Sequence, residues 1–138
     1  MQTFVPRGID LVTAFGEMDY RRLGKQRVEA KQIILALTED DYGWKNHPAV
    51  RMWDGYVGGL ACYGWLCCTA WIDRGYNDSL LPFFDDWCGR EPIAFPAWLD
   101  DDRVAYTHRS ALVRKDPGYY VPLYGDLPHV DYLWPVSA

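Results

Sequence analysis

The stretch from Asp19 to Leu37 constrains this chain most, because it combines a helical apolar period with dense positive charge. Leu23, Ala30, Ile34 and Leu37 recur at steps of three and four, so they share one helical face. Arg27 fills the gap in that stripe, while Arg21, Arg22, Lys25 and Lys31 crowd the remaining surface. An inward-facing guanidinium is costly unless it meets an anion. An internal carboxylate would give a buried ion pair, and an external anion such as phosphate would make this face a binding surface. The sequence leaves both open. Gly24, inside the same helix, costs about 1 kcal/mol against Ala and predicts close backbone approach.

A second helix is expected from Pro48 to Arg74, with Asn46 or His47 as its cap and Gly75 just past its end. Ala49, Trp53, Tyr56, Leu60, Tyr63, Cys67 and Trp71 form its long apolar stripe. Gly55, Gly58, Gly59 and Gly64 lie off the stripe and leave room for another segment. Pro82, Gly89, Pro92 and Pro96 predict a loop-rich connection from 76 to 99. A helical pattern resumes over 100–115 and ends at Asp116-Pro-Gly118. Met1 to Pro6 reads as extended, and Arg7 to Phe15 is ambiguous, with Asp10 or Thr13 as possible caps. The tail, from Tyr119 to Pro128 and on to Pro135, reads as an extended aromatic strap because proline interrupts regular structure.

A chain of 138 residues is expected to form one domain, 1–138, around a single core. Its net charge of −5 argues against a simple high-affinity DNA binder. That charge is unevenly spread: acidic residues gather at 39–41, 85–86 and 100–102, basic ones at 21–31 and 109–115. Arg109, Ser110, Arg114 and Lys115, beside His108, make a second basic helix face that serves either as a phosphate-positioning set or as a solvated surface. Cys62, Cys67, Cys68 and Cys88 match neither a CxxC pair nor a zinc pattern, which predicts reduced thiols and a cytoplasmic protein. His47, His108 and His129 lack the spacing of a metal site, and His47, beside Pro48, suits a helix cap. No phosphate-binding loop, dinucleotide fingerprint or zinc-protease motif is present. No metal or cofactor is therefore expected. No run is long and apolar enough to span a bilayer.

Several segments together resemble the pyrimidine-dimer DNA glycosylase family, the phage endonuclease V type, and within it an actinobacterial branch. They are Arg22-Leu-Gly-Lys-Gln-Arg-Val-Glu29, Tyr42-Gly-Trp-Lys-Asn-His-Pro-Ala-Val-Arg-Met-Trp53, Trp71-Ile-Asp-Arg-Gly-Tyr76, His108-Arg-Ser-Ala-Leu-Val-Arg-Lys-Asp-Pro117, Tyr119-Tyr120 and Tyr124-Gly125. The resemblance implies an all-α domain of about three main helices with the N-terminal segment threaded between them. It also implies a glycosylase with associated lyase activity on damaged or modified pyrimidines in double-stranded DNA. In that chemistry an N-terminal α-amine attacks C1′ and releases the base as a Schiff base forms, and β-elimination then cuts the strand. An α-amine suits this role because such groups ordinarily titrate near about 7.7–8.0, so part of the population is neutral and nucleophilic at pH 7.

Carried onto this chain, the resemblance assigns the nucleophile to the amine of Met1, because Gln2 is too large for ordinary removal of the initiator methionine. It assigns Arg27 to the catalytic set, and Glu29, reached by a one-residue shift from Val28, to acid–base work. It places Arg22, Lys25, His47, Arg51, His108, Arg109, Ser110, Arg114 and Lys115 on DNA or phosphate, in a monomer. The alternative is a non-catalytic protein of the same fold that holds a nucleotide or small phosphorylated ligand in a cationic pocket.

Overall fold

The computed structural model describes residues 1–136; Ser137 and Ala138, the last two residues of the expected domain, lie outside the described part. Its helices are α1 (Leu11–Glu17), α2 (Tyr20–Thr38), α3 (Pro48–Arg51), α4 (Val57–Asp73), α5 (Leu81–Arg90), α6 (Asp102–Lys115) and α7 (Pro117–Tyr124), with a 3₁₀ turn at Ala97–Asp100. No strand occurs among the described residues, so the fold is all-α, and α2, α4 and α6 are its three longest elements.

Asp19 caps α2 by accepting the Arg22 N–H, and the apolar stripe then buries Leu23, Ala30 and Ile34 fully, with Leu37 half-buried. This face lies along α4. Gly24 permits the contact, since a Cβ there would stand 2.9 Å from the Trp71 indole. Asp10 caps α1, which begins within the ambiguous stretch from Arg7 to Phe15, by accepting the Thr13 N–H at 3.3 Å. Trp53, Tyr63 and Tyr120 are the largest fully buried side chains of the core, each burying on the order of 150–250 Å².

Three expectations need correction. The helix expected from Pro48 to Arg74 is broken in two. His47 caps α3 through Nδ1, but the chain then turns at Gly55, whose φ of +87° is a conformation glycine adopts without penalty, before α4 begins at Val57. The stretch from 76 to 99 is not merely a loop: Pro82 sits in the first turn of α5, and Phe84 packs into the hollow left by Gly64. The tail lacks regular secondary structure only after Gly125. Before it, Asp116 caps α7 by accepting the Tyr119 N–H, and the helix accommodates Pro122 at an exposed position.

Off-stripe glycines of α4 carry the packing assigned to them. A Cβ at Gly58 would lie 2.0 Å from the Pro92 carbonyl oxygen, and one at Gly59 2.3 Å from that of Ala94. All four cysteines are free thiols, with Cys67 and Cys68 buried. Burial, followed by the charge of Asp78, pushes the Cys68 thiol up to about 12. Among the described residues no helix is long and apolar enough to cross a membrane.

Candidate active site

The N-terminal segment runs through the helices and is held at consecutive residues by side chains from different elements. Trp53 Nε1 donates to Thr3 Oγ1 at 2.9 Å, and Phe4 N–H donates to Gln26 Oε1 at 2.9 Å. Val5 N–H donates to His108 Nδ1 at 2.9 Å, and Arg109 donates to the Pro6 carbonyl at 2.9 Å. The Tyr63 hydroxyl stands 2.8 Å from Gln26 Oε1 and 2.9 Å from the Phe4 carbonyl, so its one proton serves two acceptors. Burial pushes the Tyr63 hydroxyl well above its ordinary range and His108 down to about 3. A neutral imidazole is the form that can accept from Val5.

These anchors deliver the start of the chain into a cleft of about 860 Å³. Met1 and Glu29 both line it, as do Gln2 and Gln26. Five basic side chains, Arg21, Arg22, Lys25, Arg74 and Lys115, face three carboxylates, Asp19, Glu29 and Asp116. The cleft is therefore cationic although the chain as a whole is not, and the acidic runs at 39–41, 85–86 and 100–102 take no part in its lining. Glu29 is 6 % exposed, with Lys25 Nζ 3.8 Å away. Lys115 is held below its ordinary pKa by burial and by the charges of Arg22, Arg114 and Lys25, which places all four cations in one field.

Tyr120 holds one wall. Its hydroxyl accepts the Asp19 N–H at 3.0 Å and donates to the Asp19 carboxylate, which also pairs with Arg22 at 3.2 Å. Arg74 donates to the carbonyls of Phe15 at 2.8 Å and Met18 at 2.6 Å, closing the C-terminal end of α1 beside the same cleft.

The structure thus brings Met1, Glu29, Arg22, Lys25 and Lys115 together, with Arg114 exposed alongside. It does not bring Arg27 there. That guanidinium pairs with Asp78, whose side chain is 1 % exposed, and lies 4.6 Å from the Trp71 ring centre. Burial pushes the Asp78 carboxyl up, but the Leu81 amide, Arg27 and Cys68 more than offset it, leaving the pKa below its ordinary value. The internal carboxylate is the partner this arginine found, and its expected place in the catalytic set is corrected accordingly.

His108 and Ser110 are corrected for a similar reason. His108 is buried and bonded to Val5, while Ser110 Oγ donates to the Pro128 carbonyl at 2.7 Å and accepts from Val130 N–H at 2.9 Å. Arg109 is spent on Pro6 and on Asp102, its carboxylate contacts being 3.1 and 3.2 Å. Arg51 is exposed in the last turn of α3 and outside the cleft lining. His47 caps α3 and packs edge-on against Trp44 and Trp134. Its pKa is lowered by burial and then by the Met1 ammonium, with Glu29 pulling the other way, so it sits close to the cleft without lining it.

Sequence reasoning missed Gln2, Gln26, Asp19 and Arg74 as parts of this site. Only Asp19, just before the helix, carried a local signal, that of a cap.

An all-helical fold that threads its own N-terminus into a cationic cleft beside a buried carboxylate defines a class: proteins equipped to hold an anionic substrate against an amine. The family model described as pyrimidine dimer DNA glycosylase matches residues 1–81, more than half of the chain and the portion that supplies Met1, α2 and Glu29, and the chain belongs to that family. Membership supports DNA glycosylase function and damaged DNA as the partner. No curated protein and no solved structure matches the chain.

Proposed function

We propose that the protein is a DNA glycosylase with associated lyase activity that acts on damaged pyrimidines, cyclobutane dimers first among them, through an imine formed by its own N-terminus. One observation carries this reading: Met1 and Glu29 line the same cationic cleft. Lys25, Lys115, Arg22 and Arg114 hold the phosphates on either side of the lesion. The neutral amine of Met1 attacks C1′. The N–C1′ bond forms, the bond from C1′ to the pyrimidine nitrogen breaks, and its electron pair leaves with the base, which takes up a proton. The nitrogen loses a proton and the C1′–O4′ bond breaks, its electron pair staying on O4′, which takes up a proton; this opens the sugar ring and gives the protonated imine. Removal of a proton from C2′ then expels the 3′ phosphate by β-elimination. Glu29 moves the protons at the sugar, a role for which a buried carboxylate beside the reacting centre is suited. We take residues 1–138 as a single catalytic unit that acts as a monomer and needs no metal or cofactor.

Borohydride reduction in the presence of dimer-containing duplex tests the reading. It should leave a covalent protein–DNA adduct that maps to Met1 and is lost when the α-amine is acetylated. Glu29→Gln should slow single-turnover cleavage of the glycosidic bond by about 10²-fold or more. An adduct that forms equally well after acetylation, or none at all with the unmodified protein, would count against the mechanism. The cleft volume also suits a nucleotide-sized ligand. A shallow dependence of binding on salt would favour that occupant, and a steep one the duplex.

A further inference from the structure

Gln2 carries a loose end. It is 5 % exposed, it lines the cleft, and its Nε2 is buried without a hydrogen-bond partner. The amide cannot be satisfied by turning over, because Oε1 already accepts the Thr3 N–H at 3.0 Å. A buried amide donor left unpaired costs roughly 1–3 kcal/mol, and such groups are rare unless something else completes them. An acceptor carried by a ligand in the cleft that Gln2 lines would complete it.

Its position narrows the choice. Gln2 follows the residue whose amine attacks C1′, and the pyrimidine atom nearest C1′ that can accept a hydrogen bond is the carbonyl oxygen O2, two bonds from the glycosidic nitrogen. Phosphates are served by Lys25 and Lys115, both exposed and charged. A neutral donor in a buried setting suits a neutral carbonyl that gains charge as the reaction proceeds. When the glycosidic bond breaks, the electron pair left on the ring nitrogen is delocalised onto O2. A donor that reaches O2 is therefore worth more in the transition state than in the ground state.

We propose that Gln2 Nε2 hydrogen-bonds O2 of the departing pyrimidine and stabilises the base as a leaving group. This rests on the glycosylase reading above and adds to it a residue that touches the substrate. It also gives residue 2 a use for the bulk that keeps Met1 in place.

Two substrates separate the claim from its parent: a duplex with one cyclobutane thymine dimer, and the same duplex with an abasic site, which has no base to expel. Gln2→Met keeps the size of the side chain and the retained methionine but removes the donor. Gln2→Glu keeps the acceptor for Thr3 N–H and turns an oxygen toward O2. Intact mass verifies Met1 in both, and thermal melting verifies the fold. The quantity read is the ratio of glycosidic-bond cleavage at the dimer to abasic-site cutting under single turnover. It should fall by roughly 10²-fold in Gln2→Met, as for loss of one preorganised donor, and fall also in Gln2→Glu. A ratio equal to wild type in both variants overturns the proposal, because the amide then serves the fold or the DNA backbone. Should Gln2→Met not fold, the ratio in Gln2→Glu decides. A wild-type protein inactive on both duplexes overturns the glycosylase reading and this one with it, a result distinct from an active protein with an unmoved ratio.

Discussion

Arg27 and His108 are the two side chains whose burial decides what they can do. Arg27 and Asp78 sit 51 residues apart and meet with side-chain exposures of 14 % and 1 %. Breaking such a pair leaves one charge buried alone, so Arg27→Ala should lose about 3–5 kcal/mol in urea denaturation. DNA affinity of the folded fraction should change little, because the guanidinium lies outside the cleft lining. His108 gives a dependence on pH. Its folded pKa, about 3, lies below the ordinary 6.5, so between those values the unfolded chain binds the extra proton. Stability is therefore complete above about pH 6.5 and is lost as pH falls toward 3, by up to roughly 5 kcal/mol in the limit of full burial. Asp78, also held low, is lost in the same direction. In His108→Gln, whose amide oxygen can still accept from Val5, denaturation at pH 7.5 and 4.5 should give a smaller difference than in wild type. An equal difference would show that the imidazole is not the group being titrated.

At the scale of elements, α4 is the helix on which α1, α2 and α5 pack, and its missing side chains help make that possible. A Cβ at Gly64 would stand 2.2 Å from the Phe84 ring, and one at Gly58 would meet backbone at Pro92. Gly64→Ala should therefore cost about 1–3 kcal/mol in thermal or urea unfolding. Phe84→Leu should recover part of that loss when combined with it, since the ring is what must move. Gly58→Ala has no side chain to displace and should not be rescued in this way. These glycines were legible in the sequence because they fall off a periodic stripe. The break at Gly55 was not, since the apolar period runs through Trp53 and Tyr56 without interruption. Helix α5 was hidden by Pro82 and α7 by Pro117, prolines that mark helix starts as readily as helix ends, and α7 also by Pro122 in its interior. The same limit applies to the site. Basic residues on α2 announced themselves by local density, whereas the set that positions Met1, namely Gln26, Trp53, His108 and Arg109, comes from separate elements. No spacing rule joins residues that meet only after folding.

For the molecule as a whole, the question is how a chain of net charge −5 can bind a polyanion. The structure answers it by segregation, with five basic side chains in the cleft lining and the acidic runs outside it. At physiological salt the screening length is about 8 Å, so a phosphate in the cleft responds to its walls far more than to distant carboxylates. Each cation that pairs with a phosphate releases a counterion, and its loss should lower the slope of log K against log salt by about 0.9. Lys25→Gln combined with Lys115→Gln should therefore flatten the slope on undamaged duplex by about 2. Arg22 should contribute less on its own, because Asp19 at 3.2 Å already claims part of its charge. The opposing control is Asp85→Asn with Asp86→Asn, which shifts net charge by the same magnitude in the opposite direction without altering the cleft lining. That variant should keep the wild-type slope. A slope that followed net charge equally in both double variants would mean that the duplex senses the whole surface, and the cleft would lose its claim to be where DNA is held.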